Sequence, residues 1–217
     1  MVTYDKKRDQ LLEDISDMSE VAEDMLQKAI EALEERKPDL ARDVISRDDV
    51  LDNYQITVAE EVSQLLTLDK PLTSDTWFAI ALVRIANDLE RIGDYATNIA
   101  EITLELKNEE YLHPMTMIPE LADIVLEMLD AVLESFVTRD ADLAEAVCRK
   151  DESVDNINDQ IYNRGIKVID DKTESRENVN QIIRFINVAK SLERIGDHAT
   201  NIGEETIFIV TGKRVKY

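Results

Sequence analysis

The sequence predicts an all-α protein, a tandem pair of three-helix bundles whose six long antiparallel helices are related by pseudo-two-fold symmetry. Three observations lead there. Only 5 glycines and 4 prolines are spread over 217 residues, which leaves few positions for turns. Apolar residues recur at helical spacing in long blocks. Finally, a shift of 103 residues lays one half of the chain on the other without a gap, and Ala86 to Glu101 (ANDLERIGDYATNIAE) then matches Ala189 to Glu204 (AKSLERIGDHATNIGE) at 12 of 16 positions.

The first helix is predicted from Leu11, Ile15, Met18, Ala22, Met25, Ala29 and Leu33, which fall on one face at 3.6 residues per turn. Lys37-Pro38-Asp39 ends it. The second is one long helix through Leu40, Val44, Leu51, Val58 and Leu65, closed by Asp69-Lys70-Pro71. The third carries Leu82, Ile85, Leu89, Ile92, Ala96 and Ile99, with Thr73 or Ser74 placed to cap it. In the second copy Arg139-Asp140 and Asp170 to Ser175 take the places of the two breakers. The stretch Asn108 to Pro119 contains two prolines and reads as the linker, so the expected division is 1–107, 108–119 and 120–217. Short turns within each copy make neighbouring helices antiparallel.

Composition excludes several classes of function. A formal charge of -22 is the wrong sign for nucleic acid, whose phosphates are bound by clustered Lys and Arg. A single cysteine, Cys148, allows no intramolecular disulfide and no Cys-rich zinc site; aligned with Ile45 of the first copy, it reads as a small core residue. The first ten residues are polar, and no apolar run reaches membrane-spanning length, so a cytoplasmic protein that meets a membrane only through a partner is expected. No nucleophile–base arrangement, phosphate-cradling glycine loop or dinucleotide fingerprint is present. His198 aligns with Tyr95 and His113 lies in the linker, so neither histidine is common to the two copies. Binding rather than catalysis is the expectation, with no organic cofactor.

The candidate binding residues are acids. Glu90 and Asp94 stand four apart on the third helix, which stacks both carboxylates on one face, and Glu193 and Asp197 repeat them. On the second helix Asp48 and Asp52, with Asp49 beside them, form a further pair. Asp151, Asp155 and Glu152 are their counterparts. If the two helices of each copy adjoin, four or five carboxylates converge and repel unless water or a cation intervenes, and oxygen ligands of this kind suit a hard or borderline metal ion. Asn98 and Asn201 fall near the same stripe. Gly93 and Gly196 sit inside these helices at a cost of about 1 kcal/mol against alanine, offset either by close helix approach or by room for a ligand beside the acids.

The doubled L-E-R-I-G-D-x-A-T-N-I segments, Leu89 to Ile99 and Leu192 to Ile202, each preceded by D-[DE]-x-x-D-N at Asp48 to Asn53 and Asp151 to Asn156, resemble the PhoU family over essentially the whole chain. The resemblance implies a cytoplasmic accessory regulator of phosphate uptake, often dimeric. Such a protein acts with the ATPase subunit of an ATP-binding-cassette phosphate transporter and, in many bacteria, with a phosphate-responsive sensor kinase. It also implies metal ions of the iron or zinc class on the family's E(D)xxxD pairs, which match Asp48 with Asp52, Glu90 with Asp94, Asp151 with Asp155, and Glu193 with Asp197. Rival readings are an accessory protein of a single-chain phosphate permease, a metal-free helical adaptor, and a di-iron carboxylate enzyme. The last requires Glu-x-x-His on two facing helices, whereas the one such tetrapeptide is Glu110 to His113 in the linker.

Overall fold

The computed structural model describes residues 4–67, 73–111, 117–171 and 174–217. These form seven helical segments and no strand: α1 (Tyr4–Glu34), α2 (Pro38–Ile45), α3 (Asp48–Thr67), α4 (Thr73–Leu106), α5 (Ile118–Thr138), α6 (Ala141–Ile169) and α7 (Arg176–Thr211). Segments α2 and α3 are two pieces of one predicted helix, so the six-rod plan stands with its second rod broken.

Local chemistry explains the break. Ser46 turns its hydroxyl back onto the Asp43 carbonyl, and Arg47 donates to the Val44 carbonyl instead of continuing the α-helical ladder. Arg47 is then held outside the rod by Asp24 of α1 at 2.5 Å. The second copy has Arg149 and Lys150 here, both good helix formers, and α6 runs straight through. Both copies end their first helix with an arginine in the left-handed region, Arg36 (φ 56°) and Arg139 (φ 55°), which are equivalent under the 103-residue shift. Asp140 and Ser175 cap α6 and α7 through their side chains. The breaker Asp69-Lys70-Pro71, His113 and Pro114 lie outside the described residues, as do the side chains of Thr73 and Ser74 expected to cap α4.

In the first half α1 packs on α2, α3 and α4; in the second, α5 and α6 pack on α7. The predicted face of α4 (Leu82, Ile85, Leu89, Ile92, Ala96, Ile99) is fully buried, as are Leu11, Ile15, Met18, Ala22, Met25 and Ala29 of α1. Leu40, expected in the core, is only partly buried. Burying each such Leu or Ile contributes roughly 1.5–3 kcal/mol.

The halves share a seam. Helix α4 lies antiparallel to α7, with Arg84 on Glu205 near one end and Glu105 on Arg184 near the other. Tyr95 and His198 are equivalent positions and their rings meet at 5.8 Å, which puts them beside the pseudo-two-fold axis. Most buried apolar residues accordingly form one continuous cluster through both halves, with Ala144, Cys148 and Ile207 in a small separate one.

Gly93 is explained by close approach. A Cβ there would stand 2.2 Å from Leu51 Cδ1, and Leu51 is itself buried. Its equivalent Gly196 faces the smaller Val154, where a Cβ would stand 3.3 Å away. Gly93→Ala is therefore expected to be destabilising, its overpacking cost of about 1–3 kcal/mol outweighing the helix-propensity gain. Gly196→Ala should change stability by less than about 1 kcal/mol. Paired thermal melts check this, and equal shifts in the two variants would contradict it.

Candidate metal centre

Each acidic quartet is assembled from two adjoining helices. In the first half Thr97 of α4 donates to Asp48 of α3 at 3.2 Å, while Gln55 of α3 donates to Asn87 at 3.2 Å and Glu90 at 3.5 Å. These bonds hold the two carboxylate pairs side by side. Burial, then the charges of Asp94, Asp52 and Asp49, push the Asp48 carboxyl above its ordinary range against the lowering effect of Thr97. Glu90 rises as well, through burial and then Asp94, with Asp52 and Asp48 adding to it and Arg91 opposing. The acids named from the sequence thus feel one another across the helix boundary.

The second half repeats the arrangement. Burial, followed by the charges of Asp197, Asp155 and Glu193, pushes the Asp151 carboxyl up to about 6. Thr200, equivalent to Thr97, offsets part of that rise. Yet neither Thr200 Oγ1 nor Asp151 Oδ1 completes a hydrogen bond of normal geometry, and Glu193 Oε2 is also buried without a hydrogen bond, its nearest charge being Arg194 at 3.7 Å. The side chains of Glu90 and Glu193 are each only 12% exposed and face a neighbouring helix, while Asp94 and Asp197 stay about one third exposed. Asp49, Asp52, Glu152 and Asp155 form the exposed rim.

Arginines already balance part of this charge. Arg91 pairs with Asp94 at 2.7 Å and Glu90 at 3.5 Å, and Arg194 pairs with Asp197 at 2.8 Å and Glu193 at 3.7 Å. Among the described residues no three acid, histidine or cysteine side chains stand in a ready-made ligating arrangement. The arginine side chains are about half exposed, so they can turn away at little cost. The donors then left are carboxylate oxygens with a threonine hydroxyl beside them, a set that suits a hard cation. The unpartnered Asp151 and Glu193 oxygens fit that use.

Thr97, Thr200 and Gln55 were missed by reading charge alone. The threonines lie inside the duplicated motif, and that identity was the available signal. Asn201 instead donates to Asp88 at 3.2 Å. Asp88 also meets His198 Nδ1 at 2.8 Å, so His198, set aside from the sequence, ties the two halves together. Cys148 is buried as expected, and burial pushes its thiol up to about 12.

With this geometry in view, comparison with known proteins gives a clear relationship. The family model described as the PhoU domain matches twice, over residues 15–103 and 118–206. The chain belongs to the PhoU family. A phosphate-specific transport system accessory protein PhoU homolog of Clostridium acetobutylicum is 32% identical over 213 residues, covering 98% of this chain and 96% of that one. A PhoU homolog of Thermotoga maritima is 34% identical, covering 99% and 92%. Among solved structures, PhoU from Pseudomonas aeruginosa matches with a TM-score of 0.92 at 27% identity, over 97% of this chain and 100% of that one. The phosphate transport system regulatory protein PhoU of Streptococcus pneumoniae gives 0.90 at 25% identity, over 99% and 100%. The two PhoU matches coincide with the duplication seen in the sequence. No described helix is long and apolar enough to cross a membrane.

The raised carboxyls set a pH dependence. Because Asp151 holds its proton more firmly in the folded chain than in the unfolded one, folding favours its neutral form, and stability falls as pH rises through about 6. That loss is complete above the folded value and absent below the unfolded carboxylate's value of about 4. In chelator-treated protein, the melting temperature should lose this contribution between about pH 4 and 6.5, and Asp151→Asn should flatten the fall. Parallel curves for the two proteins would show that Asp151 carries no such strain.

Proposed function

We propose that this chain is an accessory regulator of phosphate uptake. It docks on the ATPase subunit of an ATP-binding-cassette phosphate transporter at the cytoplasmic face, and on a phosphate-responsive sensor kinase where one is present. Its acidic quartets bind divalent metal ions. The observation that carries the reading is the recurrence of one two-helix acid quartet in both halves of a chain related to PhoU accessory proteins over nearly its full length. Asp48, Asp52, Glu90 and Asp94 would hold one cation, and Asp151, Asp155, Glu193 and Asp197 the other, with Asp49 and Glu152 at the rims. A bound cation would remove the repulsion within each quartet and free Arg91 and Arg194 for a partner's acidic groups. The fold supplies the rest by holding α3 against α4 and α6 against α7.

A metal-free adaptor is the second reading, favoured by the same arginine pairs, which already neutralise half of each quartet. Two measurements separate the readings. Protein purified without chelators should carry metal in whole-number stoichiometry, and Asp94→Ala with Asp197→Ala should reduce both the metal and the affinity for the purified ATPase subunit. Metal-free protein that binds the subunit unchanged after both substitutions would establish the adaptor. Absence of a complex with either the ATPase or a sensor kinase would overturn the transport reading, and co-purification with a single-chain permease would redirect it. Sedimentation of the free protein tests the expected homodimer.

A further inference from the structure

The two ends of the seam are finished differently. Where α4 ends beside the start of α7, Gln181 is buried and donates to the Glu109 carboxylate and the Glu110 carbonyl, both at 3.0 Å. Tyr111 follows, edge-on to Phe185 and with Arg36 4.3 Å above its ring. The 103-residue shift places Phe78 at the position of Gln181 and Gly212 at that of Glu109. Neither can make such a bridge, and at the opposite end of the seam both line a cavity of about 390 Å³. Gly212 reverses the chain there with a φ of +70°, which only glycine adopts without strain.

The walls of this cavity are aromatic and its rim is cationic. Trp77 of α4 stands edge to face with Phe208 of α7 at 5.9 Å, and 47% of it is exposed. The Arg214 guanidinium lies 3.8 Å above the Phe208 ring and 5.9 Å from that of Trp77. A guanidinium offers five N–H donors, and Glu205 accepts from Nη1 of Arg214 at 2.5 Å. Arg84 pairs with the same carboxylate, so two arginines face one acid, and Lys213 stands exposed beside them. The adjoining acids are engaged elsewhere: Asp75 by the Tyr4 hydroxyl, and Glu204 by Lys216 and the Tyr217 backbone N–H. In a chain of formal charge -22 this rim is locally positive.

We propose that the cavity is a docking socket for an acidic segment of a partner protein, which seats one bulky apolar side chain against Trp77 and Phe208 and sets a neighbouring carboxylate on Arg214. The inference rests on the docking part of the reading above and is independent of the cation part. A half-exposed tryptophan beside a second ring is the kind of surface whose burial dominates an interface. That exposure also gives the cavity a broad mouth, which suits a chain lying across it better than a small molecule enclosed by it. Arg214 rests on Phe208, so its planar fork is already oriented for a carboxylate. Screening limits charge effects to about 8 Å at physiological salt, so the segment feels this rim more than the acidic helices beyond it.

Trp77 is the only tryptophan, and its emission therefore reports occupancy directly. The probes are tryptophan-free peptides carrying Asp-Phe-Asp, Lys-Phe-Lys or Asp-Ala-Asp in one otherwise uncharged frame. The Asp-Phe-Asp peptide should shift the emission saturably and bind the native chain at least about tenfold more tightly than either of the others. Arg214→Gln should weaken that binding at least about tenfold. The peptide comparisons use the native chain and stand whatever the substitution does to stability. The same peptide should compete with the purified transporter ATPase subunit or sensor kinase, and Arg214→Gln should weaken that complex as well.

No emission shift with any peptide, or equal binding of the acidic and basic ones, would overturn the socket. A shift that follows protein concentration alone would overturn it in favour of a second copy, and 3-phenylpropionate binding as tightly as the peptide would overturn it in favour of a small acid. A partner complex undisturbed by both the peptide and Arg214→Gln would overturn the inference and leave the docking reading intact. Peptide binding without a complex with either partner would uphold the socket and overturn those partners.

Discussion

Leu89→Ala is expected to lower the stability of both halves together, by about 2–5 kcal/mol. Leu89 is completely buried on α4, the helix that carries the first half's core on one side and the seam with α7 on another. Deleting its isobutyl group leaves a cavity that the crossing helices cannot close without moving the seam. For a chain of this size each kcal/mol shifts the melting point by about 2–4 °C, so the effect is readily seen. Two probes report separately on the halves: fluorescence of Trp77, the only tryptophan, on α4, and denaturant-dependent labelling of Cys148 on α6. Both midpoints should move by the same amount, because the main apolar cluster runs through both halves and Cys148, in a small separate cluster, packs on Ile207 of α7, a helix most of whose other buried apolar residues belong to the main one. A shift seen by Trp77 but absent at Cys148 would mean that the bundles unfold independently.

Much of this architecture was legible in the sequence because two periodicities agree. The 3.6-residue pattern gave the rods and the buried face of α4, and the 103-residue shift showed that every inference about one half could be checked on the other. The quartets followed from the same logic, since spacing alone stacks Glu90 over Asp94 and Glu193 over Asp197. The break between α2 and α3 was hidden because Ser46 acts through a side-chain bond to Asp43, which leaves the apolar period undisturbed.

The seam and the course of residues 212–217 were hidden for a different reason. Duplication reveals what the copies share, and the seam is made of what they do not: Asp88 aligns with Ser191, His198 with Tyr95, and Glu205 with Ile102. Residues beside a pseudo-two-fold axis meet their own equivalents, so a complementary pair there requires the copies to diverge. Residues 212–217 match nothing in the first copy and have no helical period, and only their contacts with Glu204, Glu205 and Cys148 reveal how they lie.

Glu205 gives the second large effect. Its side chain is 8% exposed, with one oxygen shared by Arg84 of α4 and Arg214 beyond the end of α7 and the other buried without a hydrogen bond. Either arginine alone can compensate the carboxylate, so Arg84→Ala and Arg214→Ala should each cost no more than about 1.5 kcal/mol. Together they leave a buried charge uncompensated, and the double variant should lose about 3–5 kcal/mol, more than the sum of the singles. Adding Glu205→Gln removes the charge while keeping the shape, and it should recover most of that loss. The measurement is a denaturant double-mutant cycle with the triple variant as its control. Additive singles, or a triple no more stable than the double, would mean that water already reaches Glu205. The seam would then be held by its apolar contacts and the Asp88–His198 pair, without the help of a buried ionic bridge from Arg214 through Glu205 to Arg84 of the first half.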